Sequence, residues 1–214
     1  MRVNARAIVM TATELLLSAY GMAMASDEEL HEKWISVSFA LGSVAGNAHL
    51  IALQRNGRLD LMLRLIEAER LERMKDDASD EPIWSLDLQF ALSENWLLSA
   101  YEVARAAKAP FKASGTDASR LLALEHRLAL VRMPAAKGVI QGMNRKPHKD
   151  NPPLLRRLGD ATPELYQDDG SYMAPQGLCV ETGAVLWYPM DVTNGKEVVV
   201  CRRDLSNEML ALFD

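Results

Sequence analysis

From Trp34 to Leu53 the chain holds no formally charged residue. A run of that length could cross a bilayer, so whatever fold it adopts has to hide it, in lipid or in a protein core. The interior of the run separates the two. Asn47, His49 and several serines would each be costly in lipid, and Glu28, Glu29 and Glu32 lie just upstream with no basic cluster to fix an orientation. A helix apolar on all sides is what the centre of a bundle requires. The run is therefore read as a central, most-buried helix. Ser26 and Glu29 open it as a capping box, and Asn56-Gly57 closes it, since glycine takes the left-handed conformation that ends helices. Gly42, Ala45 and Gly46 provide the small side chains that let helices approach closely, with His49 beside them as a core polar group or the polar wall of a pocket.

The residues before this helix imitate a secretion signal. Arg2 and Arg6 precede an apolar run, and Ala23-Met24-Ala25 resembles a cleavage site. Glu14 interrupts the run with a charge, and Ile8, Ala12, Leu15, Ala19 and Met22 recur at helical spacing, so Asn4 to Met24 reads as a first helix. A third follows the central one, with Leu59, Met62, Leu63, Ile66 and Met74 as its apolar side. Asp60 with Arg64 and Glu69 with Arg73 are expected on its solvated face. Asp80 and Pro82 start a fourth, striped by Leu86, Phe90, Leu97, Tyr101 and Ala104 and ending before Pro110. The fifth runs from Thr116 through Leu121, Leu124, Leu128 and Val131, until Pro134 kinks or ends it. Five helices joined by short turns make an antiparallel bundle over residues 1–140.

After Gln141 the texture changes. Prolines 147, 152, 153, 163 and 175 and glycines 142, 159, 170 and 177 punctuate a connector, residues 141–176, with one short helical turn at Leu154–Leu158. Residues 177–214 then read as a β-hairpin or three-stranded meander with a closing helix. Asn194-Gly195 suits a two-residue type I′ turn, which sets Tyr188 opposite Cys201 and Met190 opposite Val199. Leu178 to Glu181 adds a third strand. Pro189 cannot donate to a ladder and belongs at an edge, a bulge or an unpaired end. Asp204 or Ser206 caps the last helix, whose Leu210 and Phe213 return to the body. The fold class is α+β, mainly helical, with the hairpin unit packed on the bundle.

The net charge of −5 gives no global attraction to nucleic acid. The two cysteines, Cys179 and Cys201, form no CxxC pair, and the four histidines make no HExxH or HxH arrangement. Neither a metal nor a cofactor is expected, and free thiols suit a reducing, cytoplasmic compartment. No dinucleotide fingerprint, Walker loop or nucleophile elbow occurs.

Three residue sets remain as candidates. Arg145, Lys149, Arg156 and Arg157 make one locally basic loop, which could hold phosphate beside a helix start at Pro152-Pro153 and gives the chain a route to nucleic acid. No aromatic residues interleave there, as a single-strand binder would need. Trp187 and Val200, expected on the outer face of the hairpin, are candidates for a protein interface, because exposed aromatics often anchor one. Arg120 and His126 have the Arg-x5-His spacing of a class of helical-bundle ribonucleases, and in those two residues the chain resembles the HEPN type. That resemblance implies RNA or nucleotide phosphate as substrate, with Arg120 and His126 catalytic. Leu121 stands where the motif usually has a polar residue, and six positions along a regular helix point two side chains apart. Without converging catalytic groups, the residues favour a non-enzymatic interaction or regulatory protein that acts through a protein partner or self-association.

Overall fold

A computed structural model describes residues 10–75, 83–155 and 162–214 of the chain. Five helices come first: α1 (Ala12–Ser26), α2 (Glu28–Ala45), α3 (Asn47–Lys75), α4 (Ile83–Ser114) and α5 (Ser119–Lys137). Short strands follow as β1 (Leu154–Leu155), β2 (Glu164–Leu165), β3 (Gln176–Leu178), β4 (Val185–Trp187), β5 (Met190–Asp191), β6 (Lys196–Glu197) and β7 (Val200–Cys201), and α6 (Arg202–Leu210) closes the chain. The fold is α+β and mainly helical. Among the described residues no helix is long and apolar enough to cross a membrane.

Helix boundaries depart from the sequence reading in instructive ways. The capping box belongs to α1, where Thr11 and Glu14 satisfy each other's backbone amides. The residues of the expected first helix before position 10 lie outside the described residues, as does the Asp80-Pro82 start of α4. Asp27, not Ser26, caps α2 by accepting from the Leu30 amide. The uncharged run is not one helix, because Gly46 breaks it at φ 93°, ψ 166°, a backbone region that is essentially glycine's alone. Asn56-Gly57 instead lies inside α3. Gly57 is there for space: a Cβ would come within 2.6 Å of the Trp34 ring on α2. Gly42 serves the same contact further along, against Leu50.

Pro110, expected to follow the end of a helix, and Pro134, expected to kink or end one, both sit inside helices. Pro110 falls in the last turns of α4, and Phe111 beyond it is buried against Phe213. Pro134 is buried in α5, whose end comes at Gly138 in the left-handed conformation. Nor is α2 the most buried helix. It buries Trp34, Val37, Ser38 and Leu41 but exposes Ile35 and Phe39, while α5 buries Leu121, Leu124, Leu128 and the run Ala129 to Val131.

The strands form three small antiparallel sheets, β1–β2, β3–β4–β7 and β5–β6. Leu154–Leu155, expected as a helical turn, is a strand paired with Glu164–Leu165. The Asn194-Gly195 loop is longer than a two-residue turn, and the register is slipped by two: Met190 faces Glu197, and Leu186 rather than Tyr188 faces Cys201. Asp191 is the cause. Its carboxylate accepts from the Thr193 amide and hydroxyl and from the Asn194 side chain, while its carbonyl accepts from the Gly195 amide. Those bonds stabilise a wider loop than the dipeptide alone would set.

The β3–β4–β7 sheet and α6 share the bundle's core. Val185, Trp187, Val200, Leu205, Met209 and Leu210 join Trp34, Leu53, Leu63, Trp96 and Leu128 in one cluster. A second, smaller cluster of Ile140, Met143, Tyr166 and Met190 organises the segment between α5 and the sheets.

Candidate functional site

The largest unforeseen feature is a buried charge network on α3. Leu53, Asn56, Asp60, Leu63, Glu67 and Arg70 follow one another at three- and four-residue steps, and all are buried. That is the spacing of an apolar stripe, with polar groups in four of its six positions. Asp60 accepts from Arg202 Nη1 at 2.5 Å, Arg64 Nε at 2.8 Å and Trp34 Nε1 at 3.0 Å. Glu67 accepts from Arg202 Nε at 2.7 Å on one oxygen and from both Nε and Nη2 of Arg203 on the other. The Arg202 guanidinium also lies 5.6 Å from the Trp96 ring centroid. One step further, Arg70 Nε donates to Gln89, and Gln89 donates to the Gly183 carbonyl.

Burial works against ionisation of Asp60, but the charges of Arg202 and Arg64 and the bonds from Arg202 and Ser206 outweigh it and hold its carboxyl below the usual range. Arg202 is held above its usual value against the same burial by Asp60 and Glu67. The network therefore clamps the start of α6 onto the middle of α3. No side chain caps α6, whose cap position is Cys201: Arg202, its first residue, turns inward to the acids, and Ser206, a residue expected as cap, lies within the helix and accepts from Arg64. Asp60, expected on a solvated face, is the centre of this interior. The signal was present in the sequence, since Asp60 and Glu67 lie seven apart in phase with Leu53 and Leu63.

The expected site residues are dispersed. Arg120 Nη1 donates to the Ala211 carbonyl beyond α6. His126, about half exposed, has Nε2 4.0 Å from Asp191 Oδ2 on β5. The two thus reach different elements, and this chain does not bring them together in one cleft. Trp187 and Val200 are each 1% exposed, which corrects the expectation of an outward face. They sit opposite one another in β4 and β7, on the side covered by the bundle, and Val199 is the valine that turns outward. Of the basic loop, Arg145 and Lys149 are exposed, and Arg156 and Arg157 lie outside the described residues. The helix start expected at Pro152-Pro153 is replaced by β1. His49 is partly buried, with Nδ1 shielded from solvent and without a partner among the described residues.

Two clefts flank the end of α5. One, of about 400 Å³, lies beside Glu94, Pro134, Tyr172, Met173 and Trp187. The other, of about 380 Å³, lies beside Tyr101, Met133, the 139–145 segment and Asp168, and Lys137 borders both. The chain crosses closely here. The Gly170 carbonyl packs where a Cβ of Gly138 would stand, and the Tyr172 amide donates to the Gly138 carbonyl at 2.8 Å. Glu94 accepts from Gln176, and Arg105 pairs with Glu102. Among the described residues no group of three or more His, Cys, Asp or Glu is gathered as a metal would require.

A third feature is apolar and exposed. On α1 the consecutive residues Leu15, Leu16 and Leu17 are each more than half exposed, with Met22 beyond them, and only Ala23 of that helix is fully buried. Phe39 on α2 and Ile51 on α3 are also outward. Comparison with known proteins adds no likeness: no protein-family model, no curated protein and no solved structure matches the chain.

Proposed function

We propose that this chain is a non-enzymatic interaction protein that assembles with a second copy of itself through the first half of α1. The observation that carries the reading is Leu16. It stands two helical turns before Ala23 on the same face of α1, yet Ala23 is fully buried and Leu16 is 63% exposed. The inward face of the helix is thus uncovered over its first half. Leu15 and Leu17 widen the uncovered patch, and a contiguous apolar patch of this kind marks an association surface more often than chance exposure does.

Charge argues for a second copy as the occupant. Within Ala12–Ser26 the one charged side chain is Glu14, and its carboxylate turns back onto the Thr11 amide and hydroxyl. One acid in the helix leaves little like charge to oppose the packing of two copies of α1, although the chain as a whole is acidic. Burying each leucine contributes about 1.5–3 kcal/mol, so three from each copy are enough to offset a substantial part of the cost of association. Free Cys179 and Cys201 suit a cytoplasmic setting for such an assembly.

Light scattering over a concentration series tests the reading. The expected result is a dimer for the wild type and a monomer of unchanged helical content for the Leu16→Gln/Leu17→Gln variant. A wild-type monomer at every concentration, or a dimer that survives both substitutions, overturns it.

A further inference from the structure

The cleft of about 380 Å³ at the end of α5 is within the size range of small-molecule sites. Several cations around it are paired. Arg132 lies over the Tyr101 ring at 5.2 Å and near Glu102, Arg105 holds Glu102, Lys108 holds Glu125, and Lys146 holds Asp150. Lys137 and Arg145, which both line the cleft, have no ion pair or side-chain hydrogen bond among the described residues. Among those residues the Tyr101 hydroxyl, in the same wall, donates to no protein group either.

The backbone adds donors. Gly142 takes φ 84° in the turn after α5. Of the amides in that turn, those of Gln141, Gly142 and Asn144 meet no acceptor among the described residues, whereas Met143 and Arg145 donate to Ile140 and Gly142. Two cations, a phenol and free turn amides around one concavity form an anion-binding arrangement. The acid in the wall is Asp168. Its Oδ1 accepts from the Tyr166 hydroxyl at 3.1 Å, and that hydroxyl accepts in turn from the Ile140 amide. Asp168 is therefore held in place, and its other oxygen remains to accept a hydroxyl.

We infer that this cleft binds a small phosphomonoester. Lys137, Arg145, Tyr101 and the turn amides hold the phosphate, and Asp168 accepts a hydroxyl of the organic part. A phosphate dianion suits the site better than a carboxylate, because two cations, a phenol and several amides offer more donors than two carboxylate oxygens would use. The two cations exceed the one acid, which leaves a net positive site on an acidic protein. The inference is independent of α1 and of self-association.

Calorimetric titration of the full chain at low salt with glycerol 3-phosphate and with inorganic phosphate tests it. Glycerol 3-phosphate should bind more tightly than inorganic phosphate, because inorganic phosphate offers Asp168 no carbon-borne hydroxyl, and added salt should weaken both. Lys137→Gln and Arg145→Gln should each weaken binding about tenfold or more at unchanged melting temperature, as the loss of a charge-assisted bond implies. Asp168→Asn should narrow the preference for glycerol 3-phosphate, and Lys149→Gln, outside the cleft, should change nothing. Binding of neither phosphate by the wild type overturns the inference. So does binding indifferent to Lys137→Gln and Arg145→Gln, or capture of a single-stranded RNA with no binding of the small phosphates.

Discussion

Arg202 donates to Asp60 across 142 positions of sequence, at 2.5 Å and with both side chains fully buried. It is the centre of the contacts by which the last helix engages the third. Taking two charges out of water is expensive, and their attraction offsets that cost only because Glu67, Arg64 and Trp34 add further bonds to the pair. Removing one member leaves the others buried and uncompensated. Asp60→Asn and Arg202→Met should each lower the unfolding free energy by about 3–5 kcal/mol in urea titrations. Arg203→Met should cost less, since its side chain is 24% exposed and can hydrate. A loss under about 1 kcal/mol for Arg202→Met would show that the clamp is not what holds α6.

Acid should release the same clamp. Asp60's carboxyl is held below its ordinary value of 3.8 by Arg202 and Arg64 in spite of burial, so the folded state binds that proton less readily than the unfolded chain. The stability it contributes is complete above 3.8 and is lost as pH falls through the lower folded value. Unfolding free energy measured against pH should therefore drop in this window for the wild type, and drop less for Asp60→Asn. Equal slopes for the two proteins would contradict the assignment.

Two glycines should respond to substitution in opposite ways. At Gly46 the backbone has φ 93° and no atom stands within 4 Å of where a Cβ would project, so the cost of a side chain is conformational. Gly46→Ala and Gly46→Leu should lose similar amounts, about 1–3 kcal/mol. Gly57 is helical and has no room beside Trp34. There Gly57→Ala should cost about 1–3 kcal/mol by overpacking, and Gly57→Leu distinctly more. Thermal melts of the four variants check both statements; a strong size dependence at Gly46, or none at Gly57, would reverse the two explanations.

Much of the architecture was legible in residue patterns because helices are local. Apolar residues at three- and four-residue spacing marked five helices, and valine-rich segments around Asn194-Gly195 marked the late strands, since each signal depends only on neighbours in the chain. What depended on distant groups was not legible. Gly46 lies inside the uncharged run and Gly57 just beyond it, and only the approach of Trp34 shows that Gly57 provides space while Gly46 provides a backbone conformation. Pro110 should have followed the end of a helix and Pro134 kinked or ended one, but Phe111 and Pro134 itself are buried by tertiary packing within continuous helices.

The candidate sites divide in the same way. Arg145 was visible as part of a basic segment, but its neighbour in the cleft, Lys137, belongs to a helix that the sequence offered no reason to join with it. Trp187 alternates with its neighbours as an outward residue would, yet β4 is covered on both sides: Leu186 is partly buried and Trp187 wholly so, because the sheet lies against the bundle instead of standing at its surface. By itself the sequence determined that the chain is mainly helical with late strands and which residues are apolar, because those follow from backbone preference and local period. Tertiary structure decided what the in-phase spacing of Asp60 and Glu67 with Leu53 and Leu63 only allowed, that these charges are buried. Asp60 and Glu67 are ordinary helix acids until α6 delivers Arg202 and Arg203, and only that meeting makes their burial stable.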